Sequence, residues 1–239
     1  MEAKINIRNR LFILTRMIRY NIKIIFGNRF IWFLIAALAF FIFFSVVTVL
    51  DHASISEGTV YNLLVFPGIL LIFYPTVFGI QHDDDSRMLE ILFGIPNYRY
   101  KIWLVRLVMI FLLVFLIILL FSGIASVLLY RINITEISVE LMFPIVFLGS
   151  MAFMFSTLIK NGNGTAVAMI LIGVVILFLQ QSIERTQWNP FLNPFEIPDN
   201  LNQVIWEGTI RKNRIFLSIG MVVFVLYGLF NLQKREKFV

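Results

Sequence analysis

Long apolar runs alternate with short polar segments along this chain. Six of the runs approach or exceed the roughly 20 helical residues needed to cross a hydrocarbon core. They lie near residues 30–50, 60–80, 102–129, 141–159, 165–182 and 215–232. The pattern predicts an all-α integral membrane protein with six transmembrane helices. We divide the chain into an N-terminal segment (1–29), a transmembrane domain (30–232) and a tail (233–239).

Composition supports a membrane protein and narrows its chemistry. Hydrophobic residues make up 59% of the 239 positions and charged residues 14%, whereas soluble domains carry about 25% charged residues. The chain has no cysteine, which excludes disulfide, iron–sulfur and thiol chemistry. The net charge is +6, but Lys and Arg flank the apolar runs, as topology signals do, so we expect no nucleic-acid partner.

The distribution of positive charge predicts the orientation of the spans. If both termini are cytoplasmic, 15 of the Lys and Arg residues lie inside and five lie outside. Positive charge is enriched on the cytoplasmic side of membrane proteins. We therefore predict that both termini and the 81–101 loop are cytoplasmic, and that the long 183–213 segment is external.

The N-terminal segment mixes apolar and basic residues over positions 5–26. This composition favours an amphipathic helix lying in the inner membrane interface, with its apolar side in the acyl boundary. The alternative is a solvated basic arm, because the spacing of the apolar residues is imperfect. The residues that we assign to the interfacial helix are Arg8, Phe12, Arg16, Arg19 and Lys23.

The 183–213 segment contains aromatic residues together with prolines at every fourth position, Pro190, Pro194 and Pro198. This spacing is incompatible with a regular helix, so an irregular external segment is predicted before the last span. Its aromatic residues suit the outer headgroup level. The segment either re-enters the bilayer in part or forms an aromatic belt on a connecting loop.

The loop over 81–101 is the one strongly charged segment between two central apolar runs. Asp83–Asp85 could begin a helix, because carboxylates accept the free N–H groups of a first turn; a divalent-cation site is the weaker alternative. An apolar patch follows, and Gly94 and Pro96 then end a helix of about two turns. Such a helix, held between two spans, would transmit force to both. A polar loop that only connects the spans is the alternative.

The predicted spans contain almost no charged side chains. Every acidic residue falls in a loop, a tail or a span edge, and only Arg106 enters a span, where it could extend to the cytoplasmic surface. Ion-coupled carriers usually need an ionisable group in the bundle. Asn161 and Gly162 lie in a predicted tight turn and not in a phosphate-binding loop. No catalytic nucleophile is visible, so we expect no enzyme activity.

At the central loop the chain resembles the transmembrane subunits of ABC transporters of the type-2 permease, or exporter, class. The loop pattern of that family is a charged start, then Gly or Ser followed by Thr-Leu-Glu, then two leucines, then Pro and a basic residue. In this chain the usual Gly-Thr pair is replaced around Arg87 and Met88. The similarity extends to the basic N-terminal helix, the six spans and the Pro-bearing loop before the last span. The residues that carry the match, and that the resemblance assigns to a coupling helix, are Asp84, Asp85, Arg87, Met88, Leu89, Glu90, Leu92, Pro96 and Arg99.

The resemblance implies a half-transporter in a prokaryotic-type inner membrane. A separate ATP-binding subunit would hold ATP and Mg²⁺, and this chain would bind no cofactor itself. A second permease chain, identical or related, would complete the pathway, and membrane lipids would surround both. The apolar spans suit a hydrophobic or amphipathic substrate such as a lipid, peptide or drug. Candidate pathway residues are Asn62, Pro67, Pro75 and Ser150, although ordinary membrane prolines would explain Pro67 and Pro75 equally well.

Two other functions remain open from the sequence. A self-contained channel or ion-coupled carrier would transport without any ATPase, and the charge-poor spans count against it. A non-transporting membrane scaffold would use the central loop to bind a partner without nucleotide-dependent movement.

Overall fold

The computed structural model describes residues 30–50, 55–85, 98–198 and 201–234, which contain six α-helices and no strand. All six helices are long and apolar enough to cross a membrane, which confirms the predicted all-α, multi-pass architecture. In chain order the helices are α1 (Phe30–Leu50), α2 (Glu57–Asp85), α3 (Tyr98–Leu128), α4 (Ile134–Ile159), α5 (Gly162–Ile183) and α6 (Gln203–Lys234).

Several helices begin before their apolar runs, at residues that cap them. The Ser56 hydroxyl accepts the Thr59 N–H at 3.2 Å before α2, and Asn133 accepts the Glu136 N–H before α4. Asn202 accepts the Val204 N–H at 3.3 Å before α6. Ser and Asn at these positions satisfy N–H groups that have no partner within the helix. Capping therefore sets the helix ends, and hydropathy marks only the part inside the lipid.

Two predicted boundaries are wrong, because the helices continue beyond the apolar runs. Asp84 and Asp85 continue α2, whereas the sequence suggested that they begin a separate helix. No Gly or Pro follows Gln81 before Asp85, so nothing in the backbone ends the helix where the apolar run stops. The irregular external segment is also shorter than the predicted 183–213, because α6 is already helical from Gln203.

The turn between α4 and α5 is tight, as predicted. The residue with a left-handed backbone is Lys160, at φ 66°, and Asn161 caps α5 by accepting the Asn163 and Gly164 N–H groups. Gly162 is helical. A Cβ there would lie 2.5 Å from Gln81 Oε1, which itself accepts the Gly162 N–H at 2.6 Å. Gly162 therefore allows a close approach of α5 to α2.

Helices α2 and α4 form the centre of the bundle. In their apolar stretches 61% and 67% of the residues are buried, compared with 6% in α5. Helix α4 packs against α2, α3, α5 and α6, and α1 packs chiefly against α2. Glycines allow the close packing of the central pair, because Gly68 faces Ile145 and Gly149 faces Ile72 without room for a Cβ. The outer helices therefore surround a two-helix core.

Polar residues mark two levels that are one hydrocarbon thickness apart. Twenty positions separate Tyr61 from Gln81, Glu140 from Lys160 and Arg214 from Lys234. Twenty helical residues rise about 30 Å, the thickness of a hydrocarbon core. We call the level of Tyr61, Glu140 and Arg214 the outer level, and the level of Gln81, Lys160 and Lys234 the inner level, following the predicted orientation.

We predict that replacing Gly149 with leucine destabilises the bundle by about 1–3 kcal/mol, the usual cost of overpacking a well-packed core. A Cβ at Gly149 would lie 2.5 Å from Ile72 Cδ1, whereas one at Gly173 on α5 meets nothing within 4 Å. Thermal unfolding of the purified protein in detergent measures the effect, with Gly173→Leu as the matched control. Equal melting temperatures for the two variants would contradict the central α2–α4 contact.

Candidate functional sites at the two ends of the bundle

The segment between α5 and α6 contains two consecutive Asn-Pro-Phe units. The Asn189 side-chain oxygen accepts the Phe191 N–H at 2.9 Å, and the Asn193 oxygen accepts the Phe195 N–H at 3.0 Å. Asn side chains form such turns readily, since they imitate a backbone turn. The Asn193 amide also donates to the Gly58 carbonyl at 3.0 Å. The two repeated turns give the segment a defined shape and attach it to the start of α2.

Asn213 of α6 supplies hydrogen bonds to the irregular backbone of this segment. Its side chain is fully buried and donates to the carbonyls of Gln187 at 2.9 Å and Asn189 at 2.8 Å. Irregular backbone at membrane depth is tolerated only where the protein satisfies its polar groups. One buried amide therefore holds two carbonyls that no regular secondary structure could satisfy.

Arg214 extends the same network to α4. Its guanidinium donates to Glu140 Oε2 at 2.7 Å, to the Asn213 side-chain oxygen at 2.8 Å and to the Leu192 carbonyl at 3.4 Å. The guanidinium carbon also lies 5.1 Å from the centre of the Phe143 ring. The Tyr61 hydroxyl of α2 donates to the same Leu192 carbonyl at 3.4 Å. We call Tyr61, Glu140, Asn213 and Arg214 the outer polar cluster.

This cluster corrects the expectation that the spans are free of charge apart from Arg106. The side chain of Arg214 is 10% exposed and that of Glu140 25% exposed, and both residues lie within helices that could cross the membrane. By sequence alone Arg214 belongs to the predicted external segment, because the apolar run of the last span begins at Ile215. The charged pair is tolerated because each partner neutralises the other.

The aromatic side chains of the segment pack below the outer polar cluster. Trp188 lies edge-on to Phe216, with ring centres 5.0 Å apart, and Phe191 packs against a cluster that contains Leu217 and Phe147. Leu192 is 1% exposed. These contacts bring the segment back onto the bundle, so of the two alternatives they favour partial re-entry over a loose aromatic belt.

A second site lies near the inner level, where α2 and α3 approach the central loop. Four helices meet there in one apolar cluster: α2, α3, α4 and α6. Trp103 stacks obliquely on Phe153, with ring centres 6.4 Å apart. We call this set the inner cluster; its buried members are Ile80, Trp103, Leu107, Phe153 and Leu229.

Arg106 adjoins the inner cluster and is 8% exposed. Its guanidinium carbon lies 5.3 Å from the centre of the Trp103 ring, and it borders a narrow gap shared with Pro75 and Phe153. The expectation that Arg106 extends to a wet cytoplasmic surface is therefore wrong for this structure. Residues of α2 and α4 line the gap beside Arg106.

The structure does not bring the four candidate pathway residues together. Asn62 is exposed at the outer level and donates to Glu196 at 3.4 Å. Pro67 and Pro75 are buried within α2, where the Thr76 hydroxyl donates to the Ile72 carbonyl at 2.7 Å. Ser150 is fully buried in α4, and its hydroxyl has no hydrogen-bond partner in the described part of the chain. No single cavity in the described residues is lined by all four.

The remaining candidate residues fall largely outside the described residues. The structure does not describe residues 1–29, which include the interfacial-helix residues Arg8, Phe12, Arg16, Arg19 and Lys23. Residues 86–97 of the coupling loop also lie outside the described residues. Of the coupling residues, the structure includes Asp84 and Asp85 at the end of α2 and Arg99 at the start of α3. The interfacial helix and the coupling helix therefore stay predictions.

Comparison with models of protein families found no match, and comparisons with curated proteins and with solved structures found no significant match either.

We predict that Arg214→Met lowers the free energy of unfolding by about 3 kcal/mol, because it leaves Glu140 and the Leu192 carbonyl without their partner. The exposed neighbour Arg211 provides the control, since Arg211→Met should change stability by about 0.5 kcal/mol or less. Thermal unfolding in detergent measures both variants.

The double variant Arg214→Met with Glu140→Leu should recover part of the lost stability, because it removes the uncompensated carboxylate. If Arg214→Met were as mild as Arg211→Met, the outer polar cluster would not stabilise the fold.

Proposed function

We propose that this chain is the membrane-spanning subunit of an ATP-driven exporter of the ABC type-2 class. A separate subunit binds ATP and Mg²⁺ and docks on the central loop, and two permease chains form the pathway at their interface. Six crossing helices are consistent with this role, and the loop pattern around Glu90 and Pro96 first suggested it.

The inner cluster is the observation that carries the proposal. Only 12 residues, 86–97, connect the end of α2 to the start of α3, so a partner that moves this connection moves both helix ends. Ile80 of α2 and Trp103 of α3 pack with Phe153 of α4 and Leu229 of α6. Close-packed side chains transmit displacement with little compression. Movement of the central loop would thus reach the central helix α4 and the last helix.

The substrate that fits this proposal is hydrophobic or amphipathic. The outward faces of the six helices are apolar over most of their length, and a pathway formed between two copies would use part of such a surface. A sugar or a hydrated ion would lose its hydrogen bonds with water there at a cost of several kcal/mol.

A self-contained carrier is the second candidate, and a specific observation favours it. The structure places Glu140, Arg214 and Arg106 within its helices, and buried ionisable groups are common in ion-coupled carriers. Transport by the chain alone in proteoliposomes, without any ATPase, would establish this alternative in place of the exporter. A scaffold would transport under neither condition.

We predict that Leu89→Glu and Glu90→Arg each abolish co-purification with an ATP-binding subunit from native membranes, because both alter the loop surface on which that subunit would dock. Glu207→Arg is the matched control, since it reverses the same charge at an exposed position on the predicted external side. The measurement is the recovery of a subunit with a phosphate-binding loop, together with its ATP turnover. Unchanged complex and turnover in both loop variants would refute the docking assignment.

We also predict that Trp103→Leu leaves the complex intact but reduces substrate-stimulated ATP turnover by about fivefold or more, the lower range of measured site-to-site coupling. The substitution removes the ring that joins α3 to Phe153 of α4. Trp32→Leu is the control, because Trp32 on α1 is 71% exposed. If Trp103→Leu and Trp32→Leu behaved alike, the inner cluster would not transmit the movement.

A further inference from the structure

A polar cavity of about 340 Å³ lies at the predicted external end, between α2, α5, α6 and the irregular segment. Its volume falls at the lower end of the range of small-ligand pockets, about 300–1,000 Å³. The lining is unusually polar for a membrane protein. The residues on which the argument depends are Asn62, Gln180, Glu184, Arg185, Glu196 and Trp206.

Two residues that line this cavity each carry a buried polar atom without a partner in the described residues: the Trp206 indole nitrogen and the Gln180 side-chain oxygen. Trp206 is 3% exposed. The indole N–H can only donate and the amide oxygen can only accept. A buried polar group left without a hydrogen bond costs about 1–3 kcal/mol. The pair therefore calls for an occupant that carries both an acceptor and a donor.

The charged side chains of the cavity extend this requirement. Glu196 is oriented by amide donors from Asn62 at 3.4 Å and Asn193 at 3.3 Å. Three charged residues line the cavity: Glu184, Arg185 and Glu196. None of them forms an ion pair among the residues that the structure describes. Two carboxylates and one guanidinium thus border one small cavity. A ligand with an ammonium group and an anionic group would complement both signs of charge, whereas a simple cation or anion would complement one.

The cavity includes the depth at which the headgroups of a membrane lie. Asn62 adjoins Tyr61 at the outer level, and Trp206 lies eight helical positions beyond Arg214, which is about 12 Å further out. The headgroup regions add some 5–8 Å to each side of the hydrocarbon core. The cavity therefore extends from the edge of the hydrocarbon through the zone that zwitterionic headgroups occupy, and its Trp206 end lies about 4 Å or more beyond that zone.

We propose that this cavity binds a small zwitterion in which an ammonium and a phosphodiester lie a few bonds apart, as in a phosphoethanolamine headgroup. The ammonium donates to the Gln180 oxygen and to the carboxylate of Glu196. The phosphodiester accepts from the Trp206 N–H and from the guanidinium of Arg185. This site is independent of the ATP-binding partner, so it stands or falls separately from the proposed transport function.

The test uses the full chain in nanodiscs, with glycerophosphoethanolamine as the soluble probe and thermal unfolding and calorimetric titration as the readouts. In nanodiscs that lack phosphatidylethanolamine, we expect saturable binding of the probe and a higher melting temperature. Ethanolamine alone and glycerophosphoglycerol alone, which carry one charge each, should bind at least about tenfold more weakly.

Two conservative variants and two matched controls assign the binding to the cavity. Trp206→Phe removes the indole donor and keeps the ring, and Gln180→Leu removes the acceptor; each should weaken binding of the probe by about tenfold or more. Trp188→Phe and Gln181→Leu change the same residue types at exposed positions outside the cavity and should leave binding unchanged. If the cavity variants bound like the controls, or if no binding were seen, water would fill the cavity and the proposal would be wrong.

The lipid composition of the nanodisc distinguishes the two sources of the zwitterion. If membrane lipid supplies it, phosphatidylethanolamine in the disc raises the melting temperature and prevents further binding of the soluble probe. If a free zwitterion is the natural ligand, the probe binds equally well with and without phosphatidylethanolamine. Both results support the site, provided that Trp206→Phe removes the effect.

Discussion

Irregular backbone beside a hydrocarbon core must obtain its hydrogen bonds from the protein, and the segment between α5 and α6 is such a backbone. Its prolines prevent a helix, so its carbonyls have no regular partners. Asn213 and Arg214, adjacent on α6, donate to the carbonyls of Gln187, Asn189 and Leu192. Glu140 of α4 balances the charge that this requires. The external end of the bundle depends on these few polar contacts, since they join α4, α6 and the segment at one level.

The two ends of the molecule are built differently. The outer end is polar, with a charged pair, repeated Asn-Pro-Phe turns and a cavity lined by two residues whose buried polar atoms have no partner among the described residues. The described part of the inner end contains an apolar cluster, with Trp103 and Phe153 at the meeting point of four helices. Close packing suits the transmission of displacement, and polar side chains suit the binding of a polar ligand. The proposed exporter would receive force at one end and contact polar groups at the other, with the glycine-lined α2–α4 contact between them.

The number of helices and the apolar character of the protein follow directly from the sequence, because a span needs about 20 apolar residues. The positions of the helix ends follow less directly, although Ser56, Asn133 and Asn202 are residue types that cap helices. The site residues were least predictable. By sequence alone Arg214 belongs to a loop and Glu140 to a span edge. Nothing along the chain indicates that these residues, 74 positions apart, form a pair. The Asn residues before Pro190 and Pro194 indicate the two turns, whereas the prolines alone indicate only that the segment is not helical.

Six apolar helices of membrane-spanning length follow from the sequence, since hydrophobic length and helix period are local properties of the chain. Which helices are central does not follow from it, because α2 and α4 are no more apolar than the exposed α5. Gly68 and Gly149 allow that pair to pack closely, because each lies against an isoleucine without room for a Cβ. The structure likewise decided that Arg106 is covered, that Arg214 is neutralised, and that Gln180 and Trp206 border one cavity. These are relations between distant segments, and they exist only once packing has brought the helices together.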